Sequence, residues 1–336
     1  MSNAANLGAD SQASPRQRAA VIYRADRVDL MRLHALVDET LEHLDWAETL
    51  WLPTQAEAPG HSQVVDALRA GATTIVIVGG DGTIRHAFQG LYDSPVDPDT
   101  VAVGVVPVGT GNVLARNLGI QLNNLPRAIR RALIGEEWRV DLGIAKLQPA
   151  DSGIVRTEVF SVMAGVGLDA KIFANTDKML KHRFGWVAYI DGGIKSLPAF
   201  FERMNVSVNG GPERRLKLHS LIVGNCGLLP GGILLMPDAA VDDGVLDVAA
   251  VGPRRFWNWV AFWSRVTWQN GVLRRIPAGR RLMDATANVK TIENLSGQHI
   301  VVMPDRAVDM QLDGDPIGSV TRVEFTVLPA AIRVRL

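Results

Sequence analysis

The sequence is poor in several features that would place it in common classes of protein. Its 336 residues include a single cysteine, Cys226, so neither a disulfide framework nor a cysteine-based zinc site can form within the chain. The 35 basic and 35 acidic residues give a formal net charge of zero, which argues against a protein coated in positive charge for nucleic acid. We therefore expect no nucleic-acid partner and a reducing, cytoplasmic setting.

Long apolar runs and several well-known motifs are absent as well. No stretch approaches the roughly 18 to 20 consecutive apolar residues that a membrane-spanning helix needs. Residues 1–19 lack the apolar core of a signal peptide and predict a disordered tail. The sequence contains no G-x-x-x-x-G-K-[ST], no G-x-S-x-G and no H-E-x-x-H, and its seven histidines are scattered. These absences argue against a P-loop enzyme, a serine hydrolase of the nucleophile-elbow type and a zinc protease.

A glycine-rich turn follows a strongly apolar strand in the stretch IVIVGGDGTIRHA, residues 75–87. Its four consecutive β-branched residues predict a strand buried on both faces, as in parallel sheets covered by helices. Gly79, Gly80 and Gly82 remove the Cβ atoms at the end of the strand where ligands of open α/β sheets bind. The amides of this turn suit a phosphate, and the carboxylate of Asp81 suits a divalent cation or its waters. A plain turn between strand and helix explains this stretch equally well by itself.

The first 140 residues alternate strands with helices. Strands are expected near residues 19–23, 47–52, 73–78 and 101–106, and helices near residues 29–44, 61–70 and 84–91. This order predicts right-handed crossovers and a parallel sheet. The last of these strands runs into a second glycine-rich turn, which opens another helix. Both turns would lie at one edge of the sheet, where Gly79–Thr83 and Gly109–Asn112 could face a single nucleotide.

Beyond about residue 140 the sequence changes to short alternating segments, which indicate mostly antiparallel β-structure. An Asn-Gly-Gly turn at residues 209–211 separates two alternating runs and predicts a hairpin. Strands are also expected near residues 300–303, 307–312, 322–328 and 331–335, and helices near residues 178–201 and 254–270.

Five segments resemble the diacylglycerol kinase catalytic-domain family, particularly its soluble bacterial lipid kinases. They are GGDGT at 79–83, PVGTGNVLARNLGI at 107–120, GVGLDA at 165–170, PDAAVDDGVLDV at 237–248 and DGD at 313–315. The likeness runs in order from about residue 20 to residue 336. NAD kinases and phosphofructokinases have turns similar to GGDGT, whereas the G-T-G-N loop and the D-D-G-x-L-D segment favour the lipid-kinase branch.

The resemblance implies an α/β plus β fold with two domains. A Rossmann-like, nucleotide-binding α/β domain would span residues 20–140 together with about 321–336. A β-rich, sandwich-like lipid-substrate domain would span residues 141–320, with ATP and lipid in the cleft between the domains. The implied activity is ATP-dependent phosphorylation of a lipid hydroxyl, foremost that of diacylglycerol to give phosphatidic acid.

The resemblance also implies roles for individual residues. Asp315 stands where the family has its proton acceptor, and phosphoryl transfer needs such a group beside positioning and charge neutralisation. A magnesium ion would be held by Asp243 with the main-chain oxygens of Ala240 and Val245. ATP would contact Thr54, Gly79, Gly80, Asp81, Gly82, Thr83, Ile84, Arg85 and Thr110, and the second glycine loop adds Gly109, Gly111 and Asn112.

The sequence departs from the family pattern at two places. The family commonly has glutamate where this chain has Asp315, which makes the side chain one methylene shorter. Its first strand usually ends in an Asn-Pro-x-Ser-Gly loop, whereas VIYRADRVD stands here and offers Arg24 or Arg27 as a replacement. These departures keep open a non-catalytic lipid- or nucleotide-binding regulator. An NAD kinase-like phosphotransferase acting on a soluble substrate is the second alternative.

Residues 252–281 are unusually basic and aromatic. They contain seven arginines, four of the eight tryptophans and no acidic residue. Tryptophan and arginine together favour an anionic lipid interface, although a core helix with basic ends has a similar composition. We expect a cytoplasmic protein associated peripherally with membranes through this segment. The oligomeric state stays open, a homodimer included.

Overall fold

The computed structural model describes residues 16–55, 59–167, 201–230, 233–251 and 295–336. The helix predicted near 178–201 lies outside these ranges except for its last residue. The helix predicted near 254–270 and the basic segment 252–281 also lie outside them, as do residues 1–15 of the predicted tail. The prediction of a disordered tail is wrong for Gln17–Ala19, which form the start of the first strand. Arg18 fixes this start because its main-chain amide donates to Thr73 Oγ1 at 3.0 Å.

The first part of the chain alternates strands and helices as predicted. Its elements are β1 Gln17–Tyr23, α1 Leu30–Leu41, β2 Trp46–Pro53, α2 His61–Arg69, β3 Thr74–Gly79, α3 Asp81–Tyr92, β4 Ala102–Pro107, α4 Val113–Asn117 and α5 Leu125–Ile134. Asp29 caps α1, because its side chain accepts a hydrogen bond from the amide of Arg32. Helix α3 begins earlier than predicted, since the amide of Ile84 already bonds to the carbonyl of Gly80.

The four strands of this part form a parallel sheet in the order β4-β3-β1-β2. Every residue of β3 and of β4 is buried, which confirms the prediction from their β-branched runs. Alternate side chains of β3 enter different cores. Ile75 and Ile77 pack in one core with residues of α2 and α3, whereas Val76 and Val78 pack in another with residues of α1 and α5. The sheet is therefore covered by helices on both faces, and its strand ends are left for a ligand.

The rest of the described chain is β-structure. Its strands are β5 Glu137–Pro149, β6 Arg156–Phe160, β7 Met163–Val166, β8 Glu202–Val208, β9 Arg214–Leu218, β10 Ser220–Gly224, β11 Leu228–Leu229, β12 Ile233–Leu234, β13 Leu246–Val251, β14 Leu295–Gly297, β15 His299–Pro304, β16 Val308–Leu312 and β17 Asp315–Arg335. Strands β8 and β9 pair antiparallel around Asn209 and Gly210, which both have positive φ angles, so the predicted hairpin is confirmed.

Strand β17 joins the two parts of the molecule. The prediction of separate strands over 322–328 and 331–335 is wrong, because one strand runs from Asp315 to Arg335. It bends at Ala330, where φ is 51° and where the register of its pairing with β5 shifts. Beyond this bend, Arg333–Arg335 pair in parallel with Ala102–Gly104 of β4. The end of the chain thus extends the parallel sheet, while the start of β17 belongs to the antiparallel part.

The antiparallel part has a core of its own. Phe160 and Phe325 meet edge to face in this core, with ring centroids 5.9 Å apart. The separate core of the antiparallel part and the change from parallel to antiparallel strand pairing agree with the predicted fold of an α/β domain and a β-rich domain. Among the described residues, no helix is both long enough and apolar enough to cross a membrane.

Candidate active site

The two glycine-rich turns touch each other at the end of the parallel sheet. They follow the neighbouring strands β3 and β4, and the amide of Val108 bonds to the carbonyl of Gly79 at 3.1 Å. A Cβ atom at Gly109 would lie 2.7 Å from the Cα atom of Gly80, closer than real Cβ contacts come. Residue 109 must therefore be glycine for the two main chains to approach this closely, and a Cβ atom at Gly80 would lie at a tight 3.3 Å from the Gly109 Cα atom. The predicted meeting of the two loops at one edge is confirmed.

Asn112 shapes the second loop from within. It has the left-handed conformation, with φ 47°, and its side chain is almost fully buried. Its Oδ1 atom accepts from the amide of Gly109 at 3.0 Å, and its Nδ2 atom donates to the carbonyl of Gly109 at 2.7 Å. The side chain of Asn112 thus closes the loop, whereas Thr110 at the tip is exposed.

Asp81 ties the first loop to the second. Its Oδ1 atom accepts from the amides of Val113 at 2.7 Å and Leu114 at 3.2 Å, at the start of α4. Burial raises the pKa of Asp81 to about 6, the bond from Leu114 opposes this, and the nearby charge of Asp313 adds to it. The sequence suggested that this carboxylate faces a metal or its waters. In the structure its Oδ1 atom caps α4, because the two unpaired amides at that helix start need an acceptor, and contact of Asp81 with a metal stays a prediction.

The remaining residues of the first loop differ in what they offer to a ligand. The side chains of Thr83 and Ile84 are buried, and Thr83 packs where a Cβ atom of Gly79 would lie. Contact with a nucleotide by either residue therefore requires its main chain. Arg85 is also buried, and its guanidinium bonds to Asp315 and Glu158.

Thr54 lies at the same sheet edge but not beside the glycine loops. It follows β2, and its amide donates to the carbonyl of Tyr23 at 2.8 Å. Because β1 separates β2 from β3, Thr54 is two strands away from Gly79, a spacing of roughly 10 Å. The proposed replacement arginines, Arg24 and Arg27, both pair with the exposed carboxylate of Asp26.

A buried aspartate organises the acidic turn of the β-rich part. Asp313 has φ 48° and accepts four hydrogen bonds, from the amides of Ser161, Val162 and Met163 and from the Ser161 hydroxyl, at 2.8 to 3.0 Å. Burial raises the pKa of Asp313, although the hydrogen bonds from the three amides lower it. The DGD motif contained this residue, but sequence reasoning assigned it no role. The sequence signal that could have identified Asp313 is the pair of acidic residues around a glycine directly after a buried strand.

The acidic turn brings Asp315 against the first glycine loop. Asp315 opens β17, and its two carboxylate oxygens lie 3.6 Å from the position that a Cβ atom of Gly82 would occupy. Its Oδ2 atom accepts from Arg85 Nε at 3.0 Å. The side chain is 38% exposed, so it can reach a ligand as well as the arginine. A small pocket beside it is lined by Asp81, Val113, Val162, Met163, Gln311, Asp313 and Gly314.

The segment predicted to hold magnesium is fastened to the rest of the chain by the buried carboxylate of Asp141. This carboxylate accepts from the amide of Gly244 at 2.6 Å and from that of Ala330 at 2.7 Å. Asp243 accepts from the amide of Val245 at 3.1 Å. The segment is therefore an ordered loop at the bend of β17, not a free turn.

The acidic residues of this segment crowd one another. Burial raises the pKa of Asp243, with a further contribution from Asp141. Burial, followed by the charges of Asp243 and Asp238, raises the pKa of Asp247 to about 6. Within the described ranges no three His, Cys, Asp or Glu side chains converge as a metal cluster. An oxygen-only set of one carboxylate and main-chain carbonyls fits Mg²⁺, and a cation would relieve the crowding of negative charge.

Two sequence profiles match the chain. The diacylglycerol kinase catalytic domain matches residues 29–145. The YegS C-terminal NAD kinase beta sandwich-like domain matches residues 161–336, more than half of the chain. The boundary between the profiles falls close to the change from parallel to antiparallel sheet.

Several relatives are similar to this chain over most of its length. A "probable lipid kinase YegS-like" of Pseudomonas putida is 30% identical over 275 residues, which cover 81% of this chain and 80% of the relative. The "probable lipid kinase YegS" of Escherichia coli is 26% identical over 276 residues, with 81% of each chain covered. The chain belongs to the diacylglycerol kinase catalytic-domain family, in its YegS-like group of lipid kinases.

A solved structure described as a diacylglycerol kinase from Bacillus anthracis superposes with a TM-score of 0.73. The superposition covers 96% of this chain and 98% of that one at 18% identity. At this level of identity the likeness demonstrates the shared fold. It supports the two-domain architecture that the sequence predicted.

Proposed function

We propose that the protein transfers the γ-phosphoryl group of ATP to the hydroxyl of diacylglycerol and so forms phosphatidic acid. Membership of the lipid-kinase family supports phosphoryl transfer to a lipid. The observation that carries the proposal is the position of the Asp315 carboxylate beside Gly82, at the loops that would hold phosphates. A proton acceptor and a phosphate cradle then lie within reach of each other.

The glycine loops supply the cradle for the nucleotide. The start of α3 has Gly80 as its N-cap with no side chain capping it, so its first amides are available to phosphate oxygens. The second loop would add the exposed Thr110 and the main chain of Gly111. The lack of Cβ atoms at Gly79, Gly80 and Gly82 would let a phosphate approach these amides closely.

Asp315 acts as the general base in this proposal. The lone pair of the lipid hydroxyl oxygen forms a bond to the γ-phosphorus, and the bond from that phosphorus to the bridging oxygen of ADP breaks. The hydroxyl proton passes to the Asp315 carboxylate, and ADP leaves. Removing this proton as the bond forms contributes about 10² to 10⁴-fold to the rates of such reactions.

Asp243, with the main-chain oxygens of Ala240 and Val245, would hold Mg²⁺. A bound ion there supplies positive charge to offset the acidic segment and the phosphates. Asp141 anchors this loop by bonding to the amide of Gly244, and so keeps the oxygen donors in place. We expect Asp243→Asn to raise the Mg²⁺ concentration required for half-maximal activity. An unchanged magnesium requirement would remove Asp243 from the metal site.

The segment 252–281 would bring the enzyme to its substrate at an anionic membrane. Its seven arginines and four tryptophans support this, because each basic residue near such a surface contributes about 1 kcal/mol. Replacing Arg254, Arg255, Arg274 and Arg275 by Ser should weaken sedimentation with phosphatidylserine vesicles. Binding that is insensitive both to these substitutions and to salt would contradict a membrane role.

The proposed activity is tested by incubating the full chain with ATP labelled in the γ-position. Acceptors are diacylglycerol, a sphingoid base and other lipid alcohols in mixed micelles, with NAD as the soluble alternative. We expect label in phosphatidic acid. Label in another phospholipid would correct the acceptor, and label in NADP would contradict the lipid assignment. Bound ATP with no transfer to any acceptor would identify a regulator.

A further inference from the structure

We propose that Arg85 is a positioning residue that holds the Asp315 carboxylate against the first glycine loop. The inference rests on the proposed function, because it assigns to Arg85 the placement of the general base. It differs from the sequence expectation, in which Arg85 belongs to the loop that contacts ATP.

The contacts of the guanidinium support a structural clamp. Its Nε atom donates to Asp315 Oδ2 at 3.0 Å, and its Nη1 atom donates to Glu158 Oε2 at 3.4 Å. Its Nη2 atom lies 3.0 Å from His86 Nε2. All three nitrogens are therefore engaged by protein groups, and only 4% of the side chain is exposed. A buried arginine in this state has little capacity left for a phosphate.

The element that carries Arg85 is fixed independently of this clamp. Gln89 lies one turn further along α3, on the same helix face, and its Oε1 atom accepts from the amide of Val159 at 2.8 Å. Val159 and Glu158 are neighbours on β6. Helix α3 is thus bonded to β6 at two successive turns, and Arg85 extends from a rigid surface. Such support is what keeps a reactive group at a defined place.

His86 completes the surroundings of the carboxylate. Its Nε2 atom lies 3.6 Å from Asp315 Oδ2 and also faces Arg85 Nη2. Burial, and next the positive charge of Arg85, lower the pKa of His86. A neutral imidazole that accepts from Arg85 leaves the arginine as the cation that orients Asp315.

The clamp also accounts for aspartate in place of the glutamate common in the family. A shorter side chain reaches the loop only if its carboxylate is held close to it. The carboxylate of Asp315 lies at ordinary contact distance from the Cβ position of Gly82, with Arg85 bonded on its other side. Arg85 and Asp315 thus act together in this chain to place the carboxylate.

A double-mutant cycle tests the inference. The proteins are the parent, Arg85→Gln, Asp315→Asn and the double variant, each measured for kcat on a phosphorylated lipid and for ATP Kd. If Arg85 acts through Asp315, Arg85→Gln lowers kcat by about 10²-fold, the effect of a 1 Å misplacement, and leaves ATP Kd unchanged. The double variant then falls no further than Asp315→Asn alone. A loss of kcat in the double variant equal to the product of the two single losses would overturn the inference. A raised ATP Kd in Arg85→Gln would overturn it as well.

Two further variants serve as a control and as a substitute for Arg85→Gln. Arg322→Gln is the matched control, because Arg322 pairs with Glu324 in the β-rich part and should leave kcat unchanged. Arg85→Lys serves if Arg85→Gln fails to fold, since lysine keeps the charge but cannot bond both carboxylates through a planar fork. We expect Arg85→Lys to fold, to bind ATP normally and to lose turnover. Parental turnover in Arg85→Lys would contradict the clamp.

Failure of the proposed function is recognised separately. If the parent phosphorylates no acceptor, the kinase proposal fails. Urea unfolding of the same four proteins then tests whether Arg85 and Asp315 interact. Non-additive shifts of the unfolding midpoint in the double variant support contact between Arg85 and Asp315. Additive shifts contradict it.

Discussion

The parallel and the antiparallel parts of the molecule contribute to the candidate site in different ways. The parallel part offers main chain, because its two glycine loops place amides at the strand ends and turn most of their side chains inward. The antiparallel part offers carboxylates, with Asp313 buried as a structural acceptor and Asp315 partly exposed. We infer that the parallel part governs nucleotide binding, whereas the acidic turn governs transfer to the acceptor. Substitutions in the two parts should then change different quantities.

The largest effect is expected from Asp315→Asn. This change keeps the size of the side chain and removes the proton acceptor, so turnover should fall by about 10² to 10⁴-fold. The chain should remain folded, because the side chain is 38% exposed. A radiolabel assay with a lipid acceptor gives kcat, and a thermal melt checks folding. Full turnover in a folded Asp315→Asn would remove this residue from the mechanism.

A smaller effect is expected from Gly109→Ala, and it should appear in the ATP Kd rather than in kcat. The new Cβ atom would lie 2.7 Å from Gly80 Cα and 2.9 Å from Asn112 Oδ1, so the two loops must move apart. Overpacking costs about 1 to 3 kcal/mol, and a loss of that size in binding free energy corresponds to a rise in ATP Kd of roughly 5- to 150-fold. Gly211→Ala is the control, because a Cβ atom at Gly211 would likewise meet a close neighbour, the Val208 carbonyl oxygen at 3.0 Å, but in the β8–β9 turn. Equal ATP Kd values for both variants would contradict a nucleotide role for the loops.

Asp315→Glu should lower turnover by about tenfold. The carboxylate already lies beside Gly82 and is bonded to Arg85, so an added methylene displaces it from the acceptor position. The kcat of this variant is compared with that of the parent at saturating ATP. Increased activity would show that the shorter side chain limits the parent.

The smallest effect concerns stability at mildly acid pH. The pKa of Asp81 is about 6 in the folded chain and 3.8 is its ordinary value, so between pH 4 and 6 the folded chain retains a proton that the unfolded chain has lost. Stability should therefore fall as pH rises through this window. Asp81→Asn keeps an acceptor for the α4 amides and should flatten the decline, and the raised pKa values of Asp247, Asp313 and Asp243 account for the slope that remains. Urea midpoints at several pH values measure the slope, and identical slopes would exclude Asp81 as its source.

The parallel part was the more predictable from sequence. Its strands are continuous apolar runs, and its glycines stand where the main chains touch, so local pattern is sufficient to place both loops. Strand β17 was predicted as two separate strands, near residues 322–328 and 331–335. Its continuity depends on pairing with β5, a contact between residues far apart in sequence.

The side-chain partners of the site were the least predictable. Nothing near Arg85 in the sequence indicates that its guanidinium bonds to residues 158 and 315. The capping of α4 by Asp81 likewise joins residues 32 positions apart. The glycine loops are recognisable from local composition, whereas the partners of the carboxylates are fixed by contacts between residues far apart in sequence.

Titration of ATP into Asp315→Asn tests the division between the two parts most directly. The variant loses its proton acceptor but retains both glycine loops, so the account predicts the ATP Kd of the parent together with a greatly reduced kcat. An ATP Kd raised in proportion to the loss of turnover would contradict it, because Asp315 would then belong to the nucleotide site.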